Sequence, residues 1–239
     1  MTARDLARTA YRIGTRPVGS IQRLSPTPGQ FVLTYDDGPD PRHTPGILAV
    51  LDEFGATATF FVLMSKVRRN PQLLREVHAA GHEIALHGLD HQRLTTFTSK
   101  EVQQRTAAGK SELEDALGSA ITWMRPPYGA QQFSTWRAIR KAGVEPVLWS
   151  GTFWDWKDMA HEQRVEKALS SARPGALLLA HDSFPDATDG VPAAVEPQVE
   201  RARLAHDVLS RYADRGLQAR SLRDALSAGK SEKWAWFSK

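Results

Sequence analysis

Phe31-Val32-Leu33-Thr34-Tyr35-Asp36-Asp37-Gly38-Pro39 is the stretch on which the reading of this chain turns. An apolar run passes into two adjacent carboxylates and then a Gly-Pro turn. That is the pattern of a buried strand stopping abruptly with both acids at its C-terminal tip. Two like charges so close repel each other unless a cation or a division of roles relieves them. A metal ion bound by one acid would leave the other free as a base. Taken alone, the same residues also fit a solvated Asp-Asp-Gly turn, so the remainder of the chain decides.

Outward from this strand, apolar runs recur at 58–63, 83–86, 122–124, 146–149, 176–180 and, faintly, 217–220. Helix-length segments lie between or beside them at 44–54, 71–80, 100–117, 134–142, 162–172 and 197–215. Glycines such as Gly118 and Gly143 fall just past the ends of these helices, and Pro45 and Pro71 fall near their starts. Mostly apolar strands alternating with helices imply an α/β protein with a parallel sheet covered on its outer side. Seven such units predict a distorted (β/α) barrel with about seven parallel strands. The expected organisation is a lead-in segment over residues 1–30 and a single barrel domain over 31–239. Residues 183–197, rich in Pro, Asp, Ala and Gly, read as a long loop over the site, and the aromatic tail 233–237 as folding back onto the barrel.

Composition narrows the field. The chain has 239 residues, 41% hydrophobic and 24% charged, enough for one sizeable core. The net charge of +4 is spread along the sequence, with 66–69 the only tight basic cluster, which argues against nucleic acid as a partner. There is no cysteine, so any metal must be held by histidine and carboxylate. No apolar stretch is long enough to span a bilayer. Arg4 and Asp5 stand where an export signal needs apolar residues, so the expected localisation is cytoplasmic. The oligomeric state is not readable from the sequence.

In a barrel of this kind, chemistry gathers at the C-terminal ends of the strands. The first expected strand ends in Asp36-Asp37, the third in His87-Gly88-Leu89-Asp90-His91, and the fourth in Arg125-Pro126-Pro127-Tyr128-Gly129. The fifth leads to Trp154-Asp155-Trp156 and the sixth ends in His181-Asp182. Five separate runs thus deliver ionisable groups to one end. His87 and His91, four apart, would share a face on one helical turn. With one Asp they make a set that leaves coordination positions open for water, as a catalytic zinc-type site requires. His78 and His82 read as capping or solvent-facing, and Trp123 and Trp149 as core.

In these motifs the chain resembles the polysaccharide deacetylases of carbohydrate esterase family 4, in order from about Phe31 to Asp182. The resemblance implies a distorted (β/α) barrel and metal-dependent removal of N- or O-acetyl groups from an amino-sugar glycan, oligosaccharide or sugar precursor. By motif, Asp36 resembles the catalytic base and Asp37 the carboxylate ligand, with His87 and His91 as the other ligands. Arg125 matches the arginine that orients the base, and Tyr128 the residue whose backbone N–H faces the oxyanion. Asp155 resembles the acid supporting the catalytic histidine, His181 that histidine, acting as general acid. Leu179 and Trp156 match residues beside the acetyl group. One divalent ion is implied, zinc by default, with cobalt, manganese or nickel compatible. Gly88 departs from the family, which commonly has Ser or Thr there, and 152–154 is bulkier than usual. Three other readings stay open: a deformylase or deacylase of a lipid-linked or small-molecule amide, a metal-free amidohydrolase of the same fold, and an inactive carbohydrate-binding relative.

Overall fold

A computed structural model of the protein describes residues 18–25, 28–192 and 194–237. Its frame is a parallel sheet in the order β6-β5-β4-β3-β2-β8-β7. Those strands are β2 (Gln30–Asp36), β3 (Thr59–Leu63), β4 (Glu83–Gly88), β5 (Trp123–Met124), β6 (Glu145–Pro146), β7 (Gly151–Thr152) and β8 (Leu177–His181). A further strand, β9 (Gln218–Arg220), pairs with the first half of β2, while β3 pairs with its second half. The sheet curls into a half-barrel, as the strand–helix alternation predicts.

Alternation along the strands separates two apolar layers. Phe31, Leu33 and Tyr35 of β2 join Phe60, Val62, Ile84 and Leu86 under the surrounding helices. Val32 points the other way, into an interior cluster with Phe61, Ala85, Val147 and Leu177. Leu222 and Ala225, on a helix spanning Leu222–Ala228, close the bottom of that cluster. Towards the strand tips the interior turns polar, through Thr34 and Arg125 to Asp36. The fold thus places a buried polar layer at the end where the predicted site lies.

Helices occupy Thr44–Glu53, Pro71–Ala79, Ser99–Leu117, Phe133–Lys141, His161–Leu169 and Arg201–Ala213, within a few residues of the expected segments. Thr98 caps the longest of them with a reciprocal Thr98–Glu101 capping box, and Gly118 ends it in a left-handed conformation. A short helix at Met64–Arg69, directly after β3, was not anticipated.

The lead-in differs from the sequence expectation. Its residues 1–17 lie outside the described residues, but Ser20–Leu24 forms a strand, β1. This strand pairs antiparallel with β10 (Ser231–Trp234), part of the aromatic tail. The ribbon closes the gap between the two edges of the curled sheet. Ile21 bridges to Val147 beyond β6, Arg23 bridges to Ala176 before β8, and the Leu24 N–H donates to the Gly175 carbonyl at 2.9 Å. Phe237 then packs edge-on against Phe133, so the tail does fold back.

Candidate active site

The expected site residues arrive from five strand ends. Asp36 ends β2, Arg125 follows β5, Asp155 follows β7, and His181 ends β8 in register with Asp36. His87 and His91 do not share a helical turn. His87 lies within β4, where the register slips between its neighbours so that Leu86 pairs with Val62 and Gly88 with Leu63. The bulge at His87 re-aims the strand end, and His91 follows on a bend. Gly88 has φ +148, and a Cβ there would sit 2.9 Å from the Asp90 carbonyl oxygen. This backbone needs glycine, which accounts for the departure from Ser or Thr at that position.

Among the described residues, Asp37, His87 and His91 form a buried cluster whose nearest donor atoms all lie within 4.8 Å of one another. Asp37 Oδ1 stands 3.3 Å from Nε2 of both histidines. His87 Nδ1 lies 2.8 Å from the Arg125 carbonyl oxygen. Only a protonated Nδ1 can donate there, which turns Nε2, the ring's other nitrogen, to Asp37. Burial pushes the His91 pKa down to about 4, so that ring is neutral at pH 7. Burial would raise Asp37, but the histidines around it, His91 first and then His87 and His181, outweigh it and hold this carboxyl well below the usual range. One carboxylate oxygen and two imidazole nitrogens thus converge in a buried site, which suits a divalent cation.

Asp36 turns Oδ1 towards a buried arginine, while its Oδ2 stands 3.9 Å from His87 Nε2 at the edge of this cluster. Arg125 is fully enclosed and donates from Nη1 to Asp36 Oδ1 at 2.5 Å and to Thr34 Oγ1 at 2.9 Å. Nε and Nη2 donate to the Val147 and Leu148 carbonyls, and the guanidinium lies 4.1 Å from the centroid of the Phe61 ring. A planar fork bonded through all three nitrogens fixes the carboxylate it holds. His181 Nδ1 lies 2.8 Å from Asp155 Oδ1, and Asp155 Oδ2 accepts from the His181 backbone N–H at 2.7 Å. Burial alone would lower the pKa of His181, but the Asp155 carboxylate overrides it and raises it to about 9. Asp182, under Gly38, is pushed up to about 7 by burial and accepts from Thr44 Oγ1.

Backbone strain concentrates here. The non-glycine residues with positive φ among the described ones are Asp37 (77°), Tyr128 (62°) and Trp154 (53°), the last preceding Asp155. Such conformations cost about 1–3 kcal/mol each and persist where the surroundings over-determine them.

The cluster floors a cavity of about 540 Å³. Trp156 stands edge-on to His181, Leu179 and Tyr128 line the wall, and the ring of Tyr128 packs on His91 at 4.3 Å. Phe184, Pro185, Val191 and Pro192 form an apolar roof, so the loop at 183–197 does lie over the site. Trp149, expected in the core, lines this cavity, whereas His82, expected at the surface, is buried against Phe60. Arg201 was missed altogether. It lines the cavity, donates to the His181 carbonyl at 2.9 Å and approaches Asp155 at 3.5 Å. Its one sequence signal is its place at the start of the helix after the loop.

A parallel barrel carrying a His-His-Asp cation site beside an arginine-held acid and an acid-held histidine defines a metal-dependent hydrolase. Comparison with known proteins names the family. The family model "Polysaccharide deacetylase" matches residues 24–147. The chitooligosaccharide deacetylase of Azorhizobium caulinodans is 32% identical over 169 residues, covering 70% of this chain and 80% of that one. The peptidoglycan-N-acetylglucosamine deacetylase of Bacillus cereus is 32% identical over 183 residues, covering 74% and 84%. The structure of peptidoglycan deacetylase PdaC from Bacillus subtilis, 27% identical, superposes with a TM-score of 0.70 over 89% of this chain and 92% of that one. The chain belongs to the polysaccharide deacetylase family, carbohydrate esterase family 4, and is a metal-dependent deacetylase. No helix among the described residues is long and apolar enough to cross a membrane.

Proposed function

We propose that the protein removes the N-acetyl group from N-acetylglucosamine units of an oligosaccharide or glycan. The observation that carries the reading is the buried convergence of Asp37, His87 and His91 between Arg125-held Asp36 and Asp155-held His181. Asp37, His87 and His91 would hold a divalent ion, with zinc the best match to two imidazoles and one carboxylate. Such an ion supplies Lewis acidity, polarising the acetyl carbonyl and lowering the pKa of a water to about 7.

This chain's own residues do the rest. Asp36, fixed by Arg125, takes the proton of the attacking water. The backbone N–H of Tyr128 faces the oxyanion that develops on the carbonyl oxygen. His181, kept as imidazolium by Asp155, gives its proton to the departing amine, which leaves as a free amino sugar beside released acetate. Leu179 and Trp156 pack against the acetyl methyl, and the apolar roof excludes bulk water. The similarity to relatives named for chitooligosaccharide and peptidoglycan deacetylation supports the sugar.

The test is acetate release from a chitooligosaccharide series, comparing chelated protein with protein refilled with zinc, cobalt or manganese. Release restored by metal and absent in Asp36→Asn is the expected result. A protein that binds one metal per chain yet releases nothing from these sugars would move the substrate to an O-acetyl ester or another acyl amide.

A further inference from the structure

Beside the catalytic cavity lies a second groove of about 280 Å³, near the lower end of the size range of small-ligand sites, roughly 300 Å³. The two share Tyr128, Gly129 and Trp149, so they form one continuous surface depression. The far wall of the second is Trp236, in the C-terminal tail. Large exposed hydrophobic side chains are few among the described residues: Tyr128, Phe133, Val195 and Trp236, the last 64% exposed. Tyr128 and Trp236 line this groove, and Phe133 lies in the aromatic cluster that the tail joins.

The exposed indole is carried by a well-anchored backbone. Trp234, two residues earlier, pairs with Ser20 in the β1–β10 ribbon. The Trp236 carbonyl accepts from Nε2 of Gln131, a buried residue that also bonds Ser20 Oγ. Phe237 is seated against Phe133 and Trp136, whose rings stack 5.6 Å apart. On the opposite wall, Gly129 lets the chain run directly over Trp149, where an added Cβ would come within 2.6 Å of the ring. Polar side chains of Gln22, Ser150, Thr152 and Lys167 complete the lining. Flat rings with hydroxyl-bonding groups around them match a pyranose, which has an apolar face and a polar edge.

We infer that this groove is a sugar-binding subsite that takes a glycan unit next to the one being deacetylated, with Trp236 as its stacking platform. The inference rests on the proposed sugar substrate and adds to it a preference for chains over single residues.

The experiment measures kcat/KM for acetate release from N-acetylglucosamine and its oligomers from dimer to hexamer, for the wild type, Trp236→Ala and Trp236→Phe. The ratio of dimer to single sugar should fall about five-fold in Trp236→Ala through KM, and Trp236→Phe should retain most of it. A ratio unchanged by Trp236→Ala, or an equal loss at every length with the single sugar included, overturns the subsite. Titration of single sugar and dimer against the Asp36→Asn protein, with and without Trp236→Ala, reads binding apart from turnover. Tighter dimer binding that needs Trp236 supports the subsite even where no acetate is released, in which case the catalytic reading alone fails. Length-independent binding overturns the subsite even where acetate is released. A Trp236-dependent dimer in sedimentation would likewise overturn it, assigning the ring to a second copy of the chain.

Discussion

Asp36 and Asp37 sit one peptide apart yet answer to different partners, an enclosed guanidinium for one and two imidazoles for the other. Between them the backbone takes a left-handed φ at Asp37. The two proposed roles should separate by mutation. Asp37→Ala should abolish metal binding, measured as metal per chain, whereas His181→Ala should keep one metal and lose roughly 10²- to 10⁴-fold in turnover. The pH dependence follows from the same pairing. His181 holds its proton up to about 9, so activity that needs the imidazolium persists below that value and falls as pH rises through it. Asp155→Asn removes the main raising influence and should move this alkaline fall to lower pH, while a bound cation shifts it the same way in both proteins. A pH–rate profile with the same alkaline limb in wild type and variant would refute the assignment. The acids and histidines of this site were legible by residue type and strand-end position. Arg201 and the burial of His82 were not, because each depends on a partner surface that no local pattern encodes.

The elements that hold the site were legible in proportion to their independence. Long amphipathic helices and apolar strands carry their own period, so their positions came out within a few residues. The helix at Met64–Arg69 did not, since it continues an apolar strand without a break and is stabilised from outside. Its Lys66 is buried and reaches Asp189 at 3.2 Å, and Ser65 and Arg69 each reach the same carboxylate at 2.7 Å. Asp189 is itself fully buried, and its carbonyl accepts from the backbone N–H of His91 at 2.8 Å. One residue of the roof loop therefore anchors that loop and steadies a proposed metal ligand. Asp189→Ala should cost about 3 kcal/mol in urea unfolding, because it strands the Lys66 ammonium without its buried partner. It should also weaken metal binding about ten-fold in chelator competition. Loss of stability with unchanged metal affinity would restrict Asp189 to holding the loop. The pair His87 and His91 shows the opposite limit of local pattern: a four-residue spacing suggests a helical turn, but a bulged strand end followed by a bend meets the same need.

Across the molecule, strand–helix alternation made the barrel visible, whereas the device that closes it was hidden. Ser20–Leu24 is short, contains Gln and Arg, and has its strand partner some 209 positions along the chain, so neither strand announces itself alone. Removing residues 230–239 should expose the buried Ile21 and Leu24 and lower stability on the order of 2 kcal/mol, read as a shift of the urea midpoint. An unaltered midpoint would mean that β1 stays in place without its partner. The ribbon also bears on how the protein is born. Arg23 and Glu232 bond across it while standing 209 positions apart in sequence. A ribosome makes the first strand of the seam 209 positions before its partner, so while the strands between them are synthesised the sheet waits with both margins open. Contacts of such long range form late and leave strand edges available to other chains. Emergence of Ser231–Trp234 is then the event that closes the seam.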